Sequence, residues 1–137
     1  MSADSAITGA CLCGGFRFVA RSEPLYRAYC HCADCRRSTG APVSTLVGYR
    51  ADEVEYLGEE PRRYPSSEGV TRAFCGECGA SISYEDERLP GEIYLHTGLF
   101  EDPGKFPPQT HSWHSQAIGW LRIEDELPRY EQSSRPR

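Results

Sequence analysis

The sequence predicts a small all-β domain that is mainly antiparallel and stabilised by zinc. Its apolar segments are short, often alternate with polar residues, and are interrupted by Gly or Pro about every ten residues, which is typical of strands joined by turns. Only one short stretch has the features of a helix. All seven cysteines lie in three tight groups with the spacing of metal ligands.

The strand predictions follow the chain in order and rest on alternation and on β-branched or aromatic content. The first covers residues 16–19, which alternate directly after the Gly14-Gly15 turn. An irregular but ordered loop is expected over residues 99–110, which contain three prolines and a glycine. The further strand candidates are residues 43–49, 70–74, 80–84, 93–99 and, more weakly, 112–118.

The one predicted helix covers residues 33–39, directly after the central group of cysteines. It is expected to end at Gly40, because glycine tolerates the left-handed conformation of a helix C-terminus. Pro42 follows and would prevent the helix from continuing.

Length and composition set the remaining bounds. The 137 residues suffice for one domain, which we expect over residues 7–130, with frayed ends at 1–6 and 131–137. No apolar stretch is long enough to span a bilayer, and the polar start lacks a secretory signal, so we expect a cytoplasmic protein with no membrane partner. The net charge of −5 argues against a nucleic-acid partner. Nothing in the sequence indicates an oligomeric state.

The cysteine pattern is that of a metal protein, because two thiolates one or two residues apart can bind a single ion from one turn. Disulfides explain the pattern less well, since the total is odd and neighbouring pairs would close only trivial loops. Iron is the rival metal, because four cysteines can also hold an iron centre. The three groups are Cys11 with Cys13, then Cys30, Cys32 and Cys35, and finally Cys75 with Cys78.

Seven cysteines divide naturally into a closed site of four and an open site of three. The first group opens a hairpin and the last forms a knuckle between two strands, so these four are predicted to hold a structural metal. Cys30, Cys32 and Cys35 then form the open site, where a free coordination position allows chemistry. In an alternative pairing, two central cysteines join the closed site and the third remains as a lone nucleophile.

Four segments carry a resemblance that extends from about Gly9 to Tyr130 and includes every cysteine in order and spacing. They resemble the glutathione-dependent formaldehyde-activating enzyme family, which also contains centromere protein V. The segments are Gly9-x-Cys11-x-Cys13-Gly14-x-x-x-Phe18, Cys30-His31-Cys32-x-x-Cys35-Arg36-Arg37-x-x-Gly40, Arg72-x-Phe74-Cys75-x-x-Cys78-Gly79, and His111 through Trp120 with Leu127-Pro128-x-Tyr130.

The resemblance implies a β-tent fold with two zinc ions per chain. It implies a structural zinc on the first and last groups of cysteines and a catalytic zinc on Cys30, Cys32 and Cys35, a site expected to lose its metal or become oxidised more readily. The implied reaction joins formaldehyde to glutathione, giving S-hydroxymethylglutathione, and is classed in reverse as a carbon–sulfur lyase. A small thiol such as glutathione is therefore the expected partner.

Five residues are candidates for binding substrate. Arg36 and Arg37 directly follow the last cysteine of the open site and could pair with a substrate carboxylate, although solvated arginines are the alternative. His31 lies between two predicted ligands, and we expect a supporting role rather than ligation or proton transfer. His111 and Trp113 are candidates for a pocket wall, with core packing as the alternative reading of the tryptophan.

Two other classes of function remain open from the sequence. A non-catalytic zinc-stabilised protein-interaction module would show the same seven cysteines, although the acidic balance and the lack of a basic tail argue against a chromosome-associated version. A β-tent thiol oxidoreductase would cycle Cys30, Cys32 and Cys35 between thiol and disulfide. That reading is weakened because the chain has no isolated cysteine.

Overall fold

A computed structural model describes residues 6–135. The described residues form ten strands, one α-helix and short 3-10 turns, so the prediction of a mainly antiparallel all-β domain with one short helix is confirmed. None of these helices is long and apolar enough to cross a bilayer. The elements are β1 (Ile7–Ala10), β2 (Phe16–Ala20), β3 (Tyr26–Cys30), α1 (Ala33–Thr39), β4 (Ser44–Arg50), β5 (Val54–Gly58), β6 (Arg62–Ser67), β7 (Val70–Phe74), β8 (Ser81–Asp86), β9 (Glu92–His96) and β10 (Thr110–Ser112).

The strands form a small and a large sheet. The small sheet has the order β1-β2-β5, and the large one has the order β10-β3-β4-β9-β8-β7-β6. Neighbours are antiparallel except β10, which lies parallel to β3 and places Ser112 beside Cys30. This pairing brings the late part of the chain to the strand that ends in the central cysteines.

The large sheet buries side chains on both faces. On one face Val47 and Leu95 pack with Phe16 of the small sheet in the main core. On the other face Leu46 and Tyr94 belong to a second cluster, which includes two of the central cysteines. Because successive strand residues point to opposite faces, β4 and β9 each contribute to both clusters. The second face therefore offers an apolar setting for the open cysteine site.

The α-helix has the predicted bounds, and its ends explain them. The N–H of Cys35 donates to the Sγ of Cys32 at 3.3 Å, so a cysteine caps the first turn. At the other end Gly40 has a φ of 72°, the left-handed conformation that glycine adopts without a Cβ clash. The cap and the first turn thus hold two cysteines close together.

Four strands were not predicted from the sequence, namely β1, β3, β5 and β6. Strand β6 contains Pro65 and is mostly exposed, which an edge strand tolerates because it pairs on one side only. Strand β3 reads Tyr-Arg-Ala-Tyr-Cys and lacks a clear alternation, yet it lies between β10 and β4. Its pairing on both sides, rather than its own side chains, makes it a strand.

The weak strand prediction for residues 112–118 is wrong beyond Ser112. Strand β10 ends there, and Trp113 takes a φ of 56°, which is rare for any residue other than glycine. A 3-10 turn, His114–Gln116, follows. The left-handed tryptophan turns the chain away from the sheet, and an alternating sequence pattern cannot reveal such a turn.

The C-terminal end was expected to fray over residues 131–137, but residues 131–135 make specific contacts. The N–H of Trp113 donates to the carbonyl of Gln132 at 2.9 Å, and the N–H of Ser134 donates to the Oγ of Ser112 at 3.1 Å. Residues 132–135, here called the C-terminal strap, are therefore held by the end of β10. Residues 1–5 of the expected N-terminal fraying, and residues 136–137, lie outside the described part of the chain.

Candidate metal centres

The first metal candidate joins two turns that are far apart in sequence. The Sγ atoms of Cys11, Cys13, Cys75 and Cys78 all lie within 4.8 Å of one another. Cys13 Sγ is 3.6 Å from that of Cys11 and 3.7 Å from that of Cys75. Thiolates at about 2.3 Å from a tetrahedral ion would be about 3.8 Å apart. This four-cysteine cluster therefore has the spacing of a closed four-sulfur site.

Backbone N–H groups donate hydrogen bonds to two of these sulfurs. Phe16 N–H donates to Cys11 Sγ at 3.3 Å, and Gly15 N–H donates to Cys13 Sγ at 3.4 Å. Burial raises the pKa of the Cys11 thiol, but the bonds from Phe16 and from the neighbouring thiols prevail and lower it to about 6. Such donors favour the thiolate form, which is the form that binds a metal. At Cys13 the Gly15 bond lowers the pKa, but the neighbouring thiols and burial raise it overall.

The second candidate is the three-cysteine cluster, formed by Cys30, Cys32 and Cys35. These residues come from the end of β3, the helix cap and the first helical turn, and their Sγ atoms lie within 4.8 Å of one another. The Sγ atoms of Cys30 and Cys32 are 3.5 Å apart. Three protein sulfurs on a tetrahedral ion leave one position for another ligand.

A cavity of about 440 Å³ opens beside the three-cysteine cluster, and all three cysteines line it. None of the four-cysteine cluster does. Tyr26, Tyr84 and Tyr94 form an aromatic side of this cavity, with the Tyr94 ring centroid 5.7 Å from that of Tyr26 and 5.9 Å from that of Tyr84. Gly48 permits this packing, because a Cβ there would clash with the Tyr94 ring. Cavities of this size hold small organic ligands.

Arg72, on β7, brings a positive charge to the three-cysteine cluster. Its Nη1 lies 3.7 Å from Cys35 Sγ, and its guanidinium lies over the Tyr84 ring at 5.0 Å from the centroid. Hydrogen bonds from the other two thiols of the cluster, together with the charge of Arg72, lower the pKa of Cys35. Within the described residues no carboxylate pairs with Arg72. Its charge is therefore available to the cluster and to the cavity.

The sequence-predicted substrate-binding residues fall in different places. Trp113 lines the cavity, whereas Arg36, Arg37, His31 and His111 do not. Arg37 is exposed on the helix, and Arg36 is half-buried. The arginines that line the cavity instead are Arg72, Arg88 and Arg135.

The two buried histidines form a chain with a carboxylate. His111 Nε2 lies 3.0 Å from Asp125 Oδ2, and His31 Nε2 lies 2.8 Å from His111 Nδ1. Since the carboxylate accepts, His111 carries its proton on Nε2 and accepts from His31 through Nδ1. Burial, with the nearby His111 and His114, lowers the pKa of His31 to about 4. His31, the residue between Cys30 and Cys32, is thus neutral, and its hydrogen bond to His111 holds this segment of the cluster in place.

A family model described as glutathione-dependent formaldehyde-activating enzyme matches residues 6–116. The chain belongs to this family. The resemblance drawn from the cysteine spacing is thereby confirmed. The match contains all seven cysteines and Arg72, and it ends at the 3-10 turn after β10.

Two further comparisons find similar proteins. An uncharacterized lyase of Schizosaccharomyces pombe is 26% identical over 93 residues, which cover 68% of this chain and 67% of the relative. The crystal structure of a Rhodobacter sphaeroides protein superposes with a TM-score of 0.58 at 18% identity, covering 90% of this chain and 99% of that one. At that identity the second comparison speaks for the fold alone.

Part of the site lies beyond the region that matches the family. Asp125 bonds to His111, and Ser133 and Arg135 line the cavity, all after residue 116. Sequence reasoning missed these residues, together with Arg72 as a neighbour of Cys35. Arg72 does stand in the motif before Cys75, but only the sheet register reveals that it reaches the other cluster.

Proposed function

We propose that this protein is a zinc-dependent enzyme of the carbon–sulfur lyase type. It would join a small, glutathione-like thiol to a formaldehyde-like aldehyde and separate them in the reverse direction, in the manner of an S-hydroxymethylglutathione synthase. The observation that carries the proposal is the three-cysteine cluster in the wall of a ligand-sized cavity. Family membership and the lyase name of the fission yeast relative support the reaction class.

Zinc suits both donor sets, because thiolate sulfurs at tetrahedral spacing are the ligands of zinc–cysteine sites. We propose two ions per chain, a structural one on the four-cysteine cluster and a catalytic one on Cys30, Cys32 and Cys35. Bound at the second cluster, zinc supplies positive charge that lowers the pKa of a thiol entering the cavity.

The net negative charge expected at the metal site suggests a role for Arg72. Three thiolates around a divalent cation carry about −1, and a thiolate substrate would make this about −2. Arg72, at 3.7 Å from Cys35 Sγ and without a carboxylate partner in the described residues, offsets part of that charge. It thereby favours the deprotonated substrate.

The reaction balances without an oxidant or a reductant. In the forward direction the substrate sulfur forms a bond to the aldehyde carbon, and the carbonyl π electrons move to the oxygen. That oxygen takes up the proton that the thiol has lost. In reverse the carbon–sulfur bond breaks and the thiol regains its proton. The three tyrosines and Trp113 line the cavity in which the reacting atoms would meet.

Exchange spectroscopy by NMR tests the reaction directly. Isotope-labelled formaldehyde and glutathione equilibrate slowly by themselves, and zinc-loaded protein should accelerate their exchange with S-hydroxymethylglutathione. Cys32→Ser should return the exchange to the spontaneous rate. Wild-type protein with both clusters verified as metal-loaded, yet with no acceleration, would contradict the proposal.

A further inference from the structure

The C-terminal strap forms part of the wall of the cavity, although it lies outside the region that matches the family. Ser133 and Arg135 line the cavity beside the three-cysteine cluster. The family match ends at residue 116. Part of the cavity wall therefore comes from outside the matched region, whereas the candidate metal ligands lie inside it.

Several hydrogen bonds hold the strap against the sheet. Ser134 accepts from the Thr110 hydroxyl at 2.9 Å and also contacts the hydroxyl of Tyr26. The Gln132 carbonyl accepts from the N–H of Trp113. The strap therefore has a defined path beside β3 and β10, and Arg135 enters the wall from a fixed backbone.

Arg135 is held from one side by a carboxylate. Its Nε and Nη2 donate to the two carboxylate oxygens of Glu92, at 3.2 and 2.8 Å, and its side chain is 29% exposed. Glu92 also accepts from the Tyr94 hydroxyl, so its negative charge is shared between two donors. The bonds to Glu92 use Nε and Nη2, the Tyr94 hydroxyl is a further hydrogen-bond partner of Arg135, and the guanidinium lies 5.9 Å from the centroid of the Tyr26 ring. These contacts do not use all five N–H groups of the guanidinium. This arrangement orients the guanidinium while leaving donors for a ligand.

We propose that Arg135 is a specificity-determining residue, through which the strap makes the cavity favour ligands that carry a carboxylate. The proposal deepens the proposed function and rests on it for the identity of the ligand as a thiol. A charged, oriented guanidinium in the wall attracts an anionic ligand more than a neutral one of the same shape. Arg37, which the sequence suggested for this role, does not line the cavity.

Two alkylating reagents of nearly equal size test this without any assay of the reaction. Iodoacetate carries a carboxylate, and iodoacetamide is its neutral counterpart. In zinc-loaded protein, the ratio of their rates at Cys30, Cys32 and Cys35 can be measured by mass spectrometry. Arg135→Gln should lower the iodoacetate-to-iodoacetamide ratio about threefold, the size expected for a partly exposed charge pair.

Three comparisons make the measurement specific. The ratio at Cys13, an exposed thiol of the four-cysteine cluster, should stay unchanged. Arg21→Gln is the matched control, because Arg21 also pairs with a glutamate, Glu55, but does not line the cavity. Arg135→Lys keeps the charge and should retain most of the ratio, which separates loss of charge from loss of folding.

An unchanged ratio in Arg135→Gln would overturn the proposal, as would an equal fall at Cys13 or in Arg21→Gln. These outcomes do not depend on the NMR exchange experiment. Failure of the alkylation test leaves the reaction proposal standing, and absence of reaction leaves the charge preference of the cavity standing.

Discussion

The two cysteine clusters use the same ligand chemistry in opposite settings. The four-cysteine cluster joins turns whose cysteines are 62 residues apart, and it lies outside the cavity. The three-cysteine cluster comes from a single segment of six residues, lines the cavity, and has a guanidinium beside it. The first arrangement ties the fold together, whereas the second leaves space and charge for a ligand.

We infer from this difference that a set of cysteine ligands acquires its role from chain topology and from its surroundings. Closing a long loop through a metal removes much conformational freedom from the unfolded chain, and closing a loop of six residues removes little. Conversely, a nearby cation and a cavity can affect the binding of a substrate only where the metal has a free coordination position. The first three predictions below each separate the clusters by one of these properties.

The largest difference is expected in folding. Cys78→Ser removes a ligand of the four-cysteine cluster, and we expect little folded protein, because structural zinc can contribute about 10–16 kcal/mol against a typical domain stability of about 5–15 kcal/mol. Cys32→Ser is the matched variant, since both cysteines are half-buried. It should stay folded. Circular dichroism and soluble yield measure the contrast, and equal losses in the two variants would contradict the division of roles.

The second difference concerns metal affinity. A graded titration with a chelator should remove metal in two steps, because the three-cysteine cluster has an open position that competing ligands can enter. The first step should leave the far-ultraviolet spectrum unchanged, and the second should coincide with unfolding. Loss of all metal in one step together with unfolding would show that the clusters do not differ in this way.

The third difference concerns charge. Arg72→Gln should weaken metal binding at the three-cysteine cluster about tenfold, the lower end of the effect of residues that contact metal ligands. Arg62→Gln is the control, because the Arg62 side chain packs against Gly76 in the turn of the other cluster. Metal competition assays on the two variants should show a loss only for Arg72→Gln. Equal metal affinities in the two variants would show that Arg72 does not affect metal binding at the three-cysteine cluster.

The last prediction is a pH dependence that arises beside the cavity and not at the metal ligands. Burial, and then the charge of Arg72, lower the pKa of His96 to about 4. Between pH of about 6.5 and 4 the unfolded chain binds a proton that the folded one does not, so stability falls as the pH falls through this window.

His96→Gln removes the side chain that takes up this proton when the chain unfolds. Its free energy of unfolding should therefore fall less steeply below pH 6.5 than that of the wild type, by up to about 1.4 kcal/mol per pH unit. Denaturant titrations of metal-loaded protein at several pH values measure both slopes, and pH 8 serves as the baseline. Parallel curves would show that His96 is not held neutral by the fold.

Features set by local sequence could be predicted, and features set by the packing of distant segments could not. The helix bounds depend on Cys32 and Gly40 within the helix's own neighbourhood, and the cysteine groups follow from spacing, so both were accessible. Arg72 reaches Cys35 only because β7 crosses the same face of the large sheet, 37 residues further along the chain. The same holds for Asp125 and Arg135, which follow an irregular path after Trp113.

The C-terminal end illustrates the same limit. Its sequence is polar and suggests fraying, but Ser134 finds hydrogen-bond partners on β10, and Arg135 finds Glu92 on β9. Polar residues order a chain end only when partners of matching geometry lie within reach. That condition is a property of the assembled sheet and leaves no local signal.

Calorimetry with thiols tests most directly the central claim that the three-cysteine cluster is an open, ligand-binding site. Zinc-loaded protein, with both clusters verified as occupied, is titrated with glutathione and with mercaptoethanol, which carries no carboxylate. The account predicts that one thiol binds per chain, that glutathione binds more tightly, and that Cys32→Ser abolishes binding. Absence of binding by either thiol to the fully loaded protein would contradict the claim.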